Sequence, residues 1–373
     1  MNYKSHFLFL GIIAISTFFA CEKSTPGGPD DNGYDKTAML TNYADQLIIP
    51  RYQEMQQKMG ALQTICEAYL AAPSQLTLSK LKLAYIAAHL QYEKIAAFQF
   101  GPAETQLLDI YANYSGGLDY DFSSVGELTG FSIDTINIEN NIATGNYNLV
   151  SLTRNSFYSQ GFPALNYLIF EPKALDRFAV NPAGRAKYIR DVVSRLKGLI
   201  DQVAGDWTTY RADFVSNTKT NVGSPIGNLV NQLAYQLDLI KGPRIGWPFG
   251  KQSGGIVFAN KTEAYYAGIS AALAVENLSA LKELYTGASS GKGLSDYLVA
   301  LNRAALNDEV TAQFDVSIAA LQSIPDPMSA AFTTEPAKVE AAYKEVQKLL
   351  TLLKTDVASA TGVQITFTDN DGD

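Results

Sequence analysis

Apolar residues recur every three or four positions through most of this 373-residue chain, a spacing that gives helices burying one stripe each. One central stretch breaks the pattern: Gln160-Gly161-Phe162-Pro163-Ala164-Leu165-Asn166-Tyr167-Leu168-Ile169-Phe170. Phe162 precedes a proline and is pushed towards extended backbone. Pro163 brings a pre-set φ and lacks only an N–H that a first helical turn leaves unpaired, so a helix should start there. Residues three apart share a face. Pro163 and Asn166 should therefore sit together on the first turn, where backbone N–H groups point outwards.

The flanking segments can be placed from the same periodicity. Leu40, Tyr43, Leu47 and Ile48 open a helix near Lys36 that continues through Tyr52, Met55 and Met59, one long helix kinked at Pro50. A second helix is expected after Pro73-Ser74, running to about Phe100, with Tyr85, His89, Tyr92, Ala96 and Gln99 along one face. That face is unusually polar and aromatic for a core stripe. From Gly101 to Gln160 the chain is rich in turn-forming residues, with short helices around Glu104–Ala112 and Asp134–Thr144. So long an irregular stretch is either the wall of a groove or a loop covering the bundle. Asn181-Pro182 then caps a long helix to about Phe214. Further helices are expected over Leu229–Ile240, from Thr262 through Leu273, and over Leu294–Leu306, Asp308–Ile324 and Glu335–Ala358.

Composition limits what these helices can do. At 47% hydrophobic the chain can bury one large core or two moderate ones. Met1 to Ala20 has the layout of a bacterial secretory signal, too short for an ordinary spanning helix, and it ends at Ala20-Cys21 like a lipobox. Cys21 is the expected lipidated first residue, the alternative being a plain signal peptide with an incidental cysteine. Removing residues 1–20 takes Lys4 and His6, so the formal charge falls by one unit from −8 to −9 and His89 is the only histidine left. A site built on two histidines is then excluded, and Cys66 has no disulfide partner once Cys21 is acylated. The acidic balance argues against nucleic acid and against charge-driven membrane adhesion, leaving the lipid as the anchor. Residues 21–35 read as a flexible Pro/Gly/Asp-rich tether. Against this background, residues 239–262 carry Lys241, Arg244, Lys251 and Lys261 and no carboxylate. That local +4 suggests either an anion-binding Gly-rich loop or solvated surface cations.

The central stretch resembles the Gly-x-His-x-x-Glu signature of imelysin-like proteins, with Pro163 in place of the His and Asn166 in place of the Glu. The second helix is similar to the stripe on which that family commonly carries Trp, Arg, Tyr, Glu and Arg; here those places hold Tyr85, His89, Tyr92, Ala96 and Gln99. The resemblance implies an all-α fold of two four-helix-bundle-like halves with a cleft between them, here 36–180 and 181–365, followed by a polar tail at 366–373. It also implies an envelope protein of a family first classed as metallopeptidases and linked to iron uptake. With its charged groups replaced, the chain is expected to hold no metal at Pro163 and Asn166, to need no cofactor and to have no catalytic residue. The expectation is a lipid-anchored, outer-membrane protein that binds a small ligand or an envelope partner, within iron or haem acquisition. The alternatives are a metal-dependent peptidase and an interaction scaffold with a vestigial cleft. The expected cleft joins Tyr85, His89, Tyr92 and Gln99 to Gly161, Phe162, Pro163 and Asn166, with Arg244 and Lys251 at its rim. Rings and donors without a carboxylate cluster would suit an anionic or aromatic ligand.

Overall fold

The computed structural model describes residues 31–114, 131, 133–288 and 292–367. The signal segment, Cys21, most of the tether and the end of the polar tail lie outside the described residues. Within them the regular structure is helical, and no helix is long and apolar enough to cross a membrane.

The helices are α1 Lys36–Asn42, α2 Ile49–Ala71, α3 Gln75–Glu93, α4 Pro102–Thr105, α5 Leu108–Ala112, α6 Thr135–Thr144, α7 Arg154–Phe157, α8 Gly161–Phe170 and α9 Ala174–Val180. They continue with α10 Pro182–Ser216, α11 Pro225–Leu239, α12 Ser270–Thr286, α13 Leu294–Ala300, α14 Ala304–Gln322, α15 Met328–Thr334, α16 Pro336–Thr351 and α17 Ala358–Thr361. A π-helical turn, Tyr43–Ile48, joins α1 to α2 without a break. Pro50 has no N–H to give to the turn before it, and the backbone there widens its register instead of stopping. The start signals are chemical. Ser74 accepts from the Thr77 N–H at 3.2 Å while Thr77 Oγ1 accepts from the Ser74 N–H at 3.0 Å, a reciprocal cap on α3. Asn181 accepts from the Gly184 N–H at 3.0 Å and caps α10.

Two groups of helices make the core. In the first, α2 packs along both α3 and α10, and α8 lies against α3 and α10. The long α10 thus takes its partners from the elements before it. In the second, α14 packs on α16 and α12, and α11 packs on α16. Contact between α3 and α12 links the groups, and it places the C-terminal end of α3 deep in the molecule.

Among the helix ends that differ from the expected ones, two shape the site. The second helix stops at Glu93 rather than at Phe100. Carbonyls just past its end find side-chain partners: Arg51 donates to Lys94 O at 3.2 Å and Gln236 to Ala96 O at 2.9 Å, which compensates for leaving the helical ladder. The helix expected from Thr262 starts at Ser270. Ala264 and Gly268 both have positive φ, so residues 262–269 form a compact turn, and Asp326 caps α12 through the Ala271 and Ala272 N–H groups.

Candidate functional site

Helix α8 packs against both α3 and α5, and it can come close to α5 because its first residue is glycine. Gly161 has a φ of +65°, and a Cβ there would run into the carbonyl oxygens of Ala112 and Tyr111. The contact of α8 with α3 seats the Phe162 ring flat on the His89 imidazole, with centroids 4.4 Å apart and planes 5° from parallel. Tyr85, one helical turn before His89, donates its hydroxyl hydrogen to Phe162 O at 3.1 Å. Its oxygen lies 3.1 Å from His89 Nδ1. With that hydrogen committed to the carbonyl, the phenol oxygen accepts from Nδ1–H, which leaves His89 Nε2 as a bare lone pair.

Nε2 points at two carboxylates, at 3.8 Å from Glu93 Oε1 and 3.5 Å from Glu263 Oε1. Glu93 is the last residue of α3, one turn beyond His89, and Glu263 comes from the turn preceding α12. Arg244 bridges the pair from behind, with Nη2 2.7 Å from Glu93 Oε2 and Nη1 2.9 Å from Glu263 Oε2. Asn277 donates to Glu93 Oε2 at 2.9 Å, and Asn113 to Glu263 Oε1 at 2.6 Å. Every one of these side chains is buried. Burial lowers the His89 pKa, so the imidazole is neutral. Burial raises the Glu93 carboxyl to about 8 despite Arg244. The same burial would raise Glu263, but the Arg244 guanidinium, with the hydrogen bond from Asn113, outweighs it and holds that carboxyl low.

The expected site residues divide into two sets. Tyr85, His89, Gly161, Phe162 and Asn166 do come together, by direct packing; Tyr85, Phe162 and Asn166 are fully buried. Asn166 Oδ1 accepts from the Tyr266 N–H at 3.0 Å, and Pro163 is buried beside it. Neither offers a free donor atom to a cation, so the signature positions do not fit a metal. Tyr92 also packs on the Phe162 ring, with centroids 5.4 Å apart, and together with Gln99 it lines a cavity of about 300 Å³ whose lining includes Asp109, Asn113, Phe131 and Arg244. The irregular 101–160 segment contributes to its wall through Asp109, Ile110, Asn113, Tyr114 and Phe131.

The basic loop corrects three expectations. Arg244 is buried in the ion cluster rather than at a rim, because Glu93 and Glu263 neutralise it. Lys251 lies elsewhere, paired with Glu340 at 2.8 Å, and is not part of the site. Lys241 is buried 3.7 Å from Asp238, so the local +4 is largely paired: Lys241, Arg244 and Lys251 meet Asp238 and Glu263 just outside residues 239–262 and Glu93 and Glu340 from distant helices. The site also contains the carboxylate cluster that the sequence reading did not find. Glu93 could have been found, since His89 and Glu93 are spaced i, i+4 on a helix. Glu263, Asn113 and Asn277 carry no local signal. Among the described residues, His89, Glu93 and Glu263 form the group able to hold a metal, with ligand atoms all within 4.8 Å of one another.

The chain is similar to known proteins along most of its length. Iron-regulated protein A of Synechococcus elongatus is 22% identical over 320 residues, covering 81% of each protein. A crystal structure described as an iron-regulated protein A precursor from Parabacteroides distasonis superposes with a TM-score of 0.74 at 18% identity, covering 91% of this chain and 97% of that one. An imelysin-like protein from Psychrobacter arcticum superposes with a TM-score of 0.67 at 19% identity, covering 89% and 97%. These two structures share the all-helical fold. The Imelysin family model matches residues 48–355, and the chain belongs to the Imelysin family.

Proposed function

We propose that this chain is a lipid-anchored envelope protein that serves iron acquisition by binding a ligand or partner and does not cleave peptides. The iron link rests on family membership and on the relatives named for iron regulation. The observation that carries the non-hydrolytic reading is the state of the signature turn. Pro163 has no donor atom, Asn166 commits its oxygen to the Tyr266 N–H, and the neighbouring imidazole is sealed between Phe162 and two glutamates. A peptidase needs a group within hydrogen-bond reach of an extended substrate. The cavity beside Tyr92 and Gln99 is at the small end of ligand sites, and it offers rings, an amide and the half-buried Asp109. That lining suits a small neutral or cationic aromatic molecule better than an anion, since Arg244 is already neutralised. The closed packing of Tyr85 on Phe162 also supports a second reading, a scaffold that uses its outer surface.

The test is a deletion strain grown on defined iron sources and complemented with wild-type or Cys21→Ser protein, together with a peptide-library digest by the purified chain. The expected results are an iron-dependent growth defect, release of the Cys21→Ser protein from membranes after a high-salt wash, and no cleavage. Cleavage that disappears in Glu93→Gln would replace this reading with the peptidase. Unchanged growth on every iron source would leave the scaffold.

A further inference from the structure

We propose that His89, Glu93 and Glu263 form a divalent cation site, separate from the signature positions, for a first-row metal such as Mn²⁺, Fe²⁺ or Zn²⁺. This does not depend on the function proposed above.

The argument begins with the direction of each donor. Tyr85 gives its hydrogen to Phe162 O, so His89 uses Nδ1–H towards the phenol and turns the Nε2 lone pair inwards. Arg244 takes Oε2 of both glutamates, which turns both Oε1 atoms towards that lone pair. His89 Nε2 and Glu93 Oε1 are buried and have no hydrogen-bond partner among the described residues. Electron-rich atoms facing one another this way need a positive centre between them, the proton on Glu93 in the metal-free protein or a cation that displaces it. The spacing suits one. Metal–ligand bonds of about 2.0–2.2 Å in a tetrahedral arrangement put neighbouring ligand atoms about 3.3–3.6 Å apart. The two imidazole–carboxylate separations are 3.5 and 3.8 Å and all three ligand atoms lie within 4.8 Å of one another, so a bound ion would draw the glutamates closer.

The charges agree. Once Glu93 gives up its buried proton, one guanidinium faces two carboxylates, and the negative charge left over is what a divalent cation would balance in the proton's place. Imidazole with two carboxylates is a donor set for borderline and hard divalent ions. The supporting groups are those that commonly orient metal ligands: a hydroxyl on the non-ligating imidazole nitrogen, and Arg244, Asn113 and Asn277 on the carboxylates. Asn113 and Arg244 also line the 300 Å³ cavity, which brings an ion to within one side chain of the site.

The experiment uses the chain without its signal segment, stripped with EDTA and titrated with Mn²⁺, Fe²⁺ (anaerobically) and Zn²⁺ by calorimetry, with native mass spectrometry for stoichiometry. One equivalent of at least one of these ions should bind. Glu263→Gln should abolish that binding. Tyr85→Phe, which removes only the hydroxyl orienting His89, should weaken it about 10–100-fold. Circular dichroism and thermal melting check that each variant folds, and X-ray absorption of the loaded wild type should show one nitrogen and otherwise oxygen ligands. No binding of any of the three ions to folded wild type would overturn the proposal. So would binding that survives intact in folded Glu263→Gln or Tyr85→Phe.

Discussion

The seam between α14 and α16 and the seam between α3 and α8 are both buried helix contacts, built from opposite materials. On α16, Val339, Ala342, Val346, Leu349 and Leu350 form a continuous apolar stripe, each buried. On α3 the corresponding stripe holds Tyr85, His89, Tyr92 and Glu93, equally buried, and its polar atoms depend on a few specific partners. The first seam needs only volume and periodicity. The second needs particular atoms delivered from α8, α11–α12 and the turn at 262–269, and errors there are penalised by desolvation rather than by loose packing.

That contrast predicts where the largest loss of stability should fall. Arg244→Met keeps the bulk but strands two buried carboxylates, and should cost about 3–5 kcal/mol in chemical denaturation. An effect below about 1 kcal/mol would mean that the ionic seam tolerates repacking as the apolar one does.

The next effect is electrostatic. Glu93 has its carboxyl raised to about 8 by burial, so the folded protein retains a proton that the unfolded chain loses above the ordinary value of 4.5. A raised carboxyl pKa makes stability fall as pH climbs from the unfolded towards the folded value. His89, lowered by burial, acts in the opposite direction below its ordinary 6.5, so the two effects separate between about pH 6.5 and 8. Across that window the metal-free protein should lose about 2 kcal/mol, read as a falling melting temperature. Glu93→Gln should flatten the slope. A wild-type profile already flat over this range would contradict the buried-proton picture.

The same contrast explains what could be read from the sequence. The all-helical fold, the caps at Ser74 and Asn181 and the stripe on α16 follow from local periodicity and turn chemistry, and each was legible. The meeting of Tyr85 and Phe162 was legible only through the family resemblance. Glu263 was not, because its place depends on a turn held by the positive φ of Ala264 and Gly268 inside what reads as a helix. Arg244 was misjudged for a related reason: a run of cations without local carboxylates says nothing about carboxylates brought in from elsewhere.

On the apolar seam, Leu349→Met changes shape while conserving volume and should cost less than about 1.5 kcal/mol. No pH dependence should accompany it. If this swap cost as much as Arg244→Met, the distinction between a seam specified by volume and one specified by atoms would fail.

The smallest expected effect comes from Lys251, which shares the basic loop with Arg244 and so isolates environment from sequence neighbourhood. Its ammonium lies 2.8 Å from Glu340 Oε2, with about a third of each side chain exposed: 37% for Lys251 and 30% for Glu340. Water and salt screen such a pair, and ordering two long side chains offsets much of the attraction. A double-mutant cycle of Lys251→Ala and Glu340→Ala should therefore return about 0.2–1 kcal/mol, shrinking as salt is raised. The matching cycle of Arg244→Met with Glu263→Gln should give a larger coupling that salt barely changes, because both partners are buried. Equal couplings in the two cycles would show that burial does not separate these cations energetically, and would remove the physical basis for treating Arg244 as part of the site and Lys251 as surface.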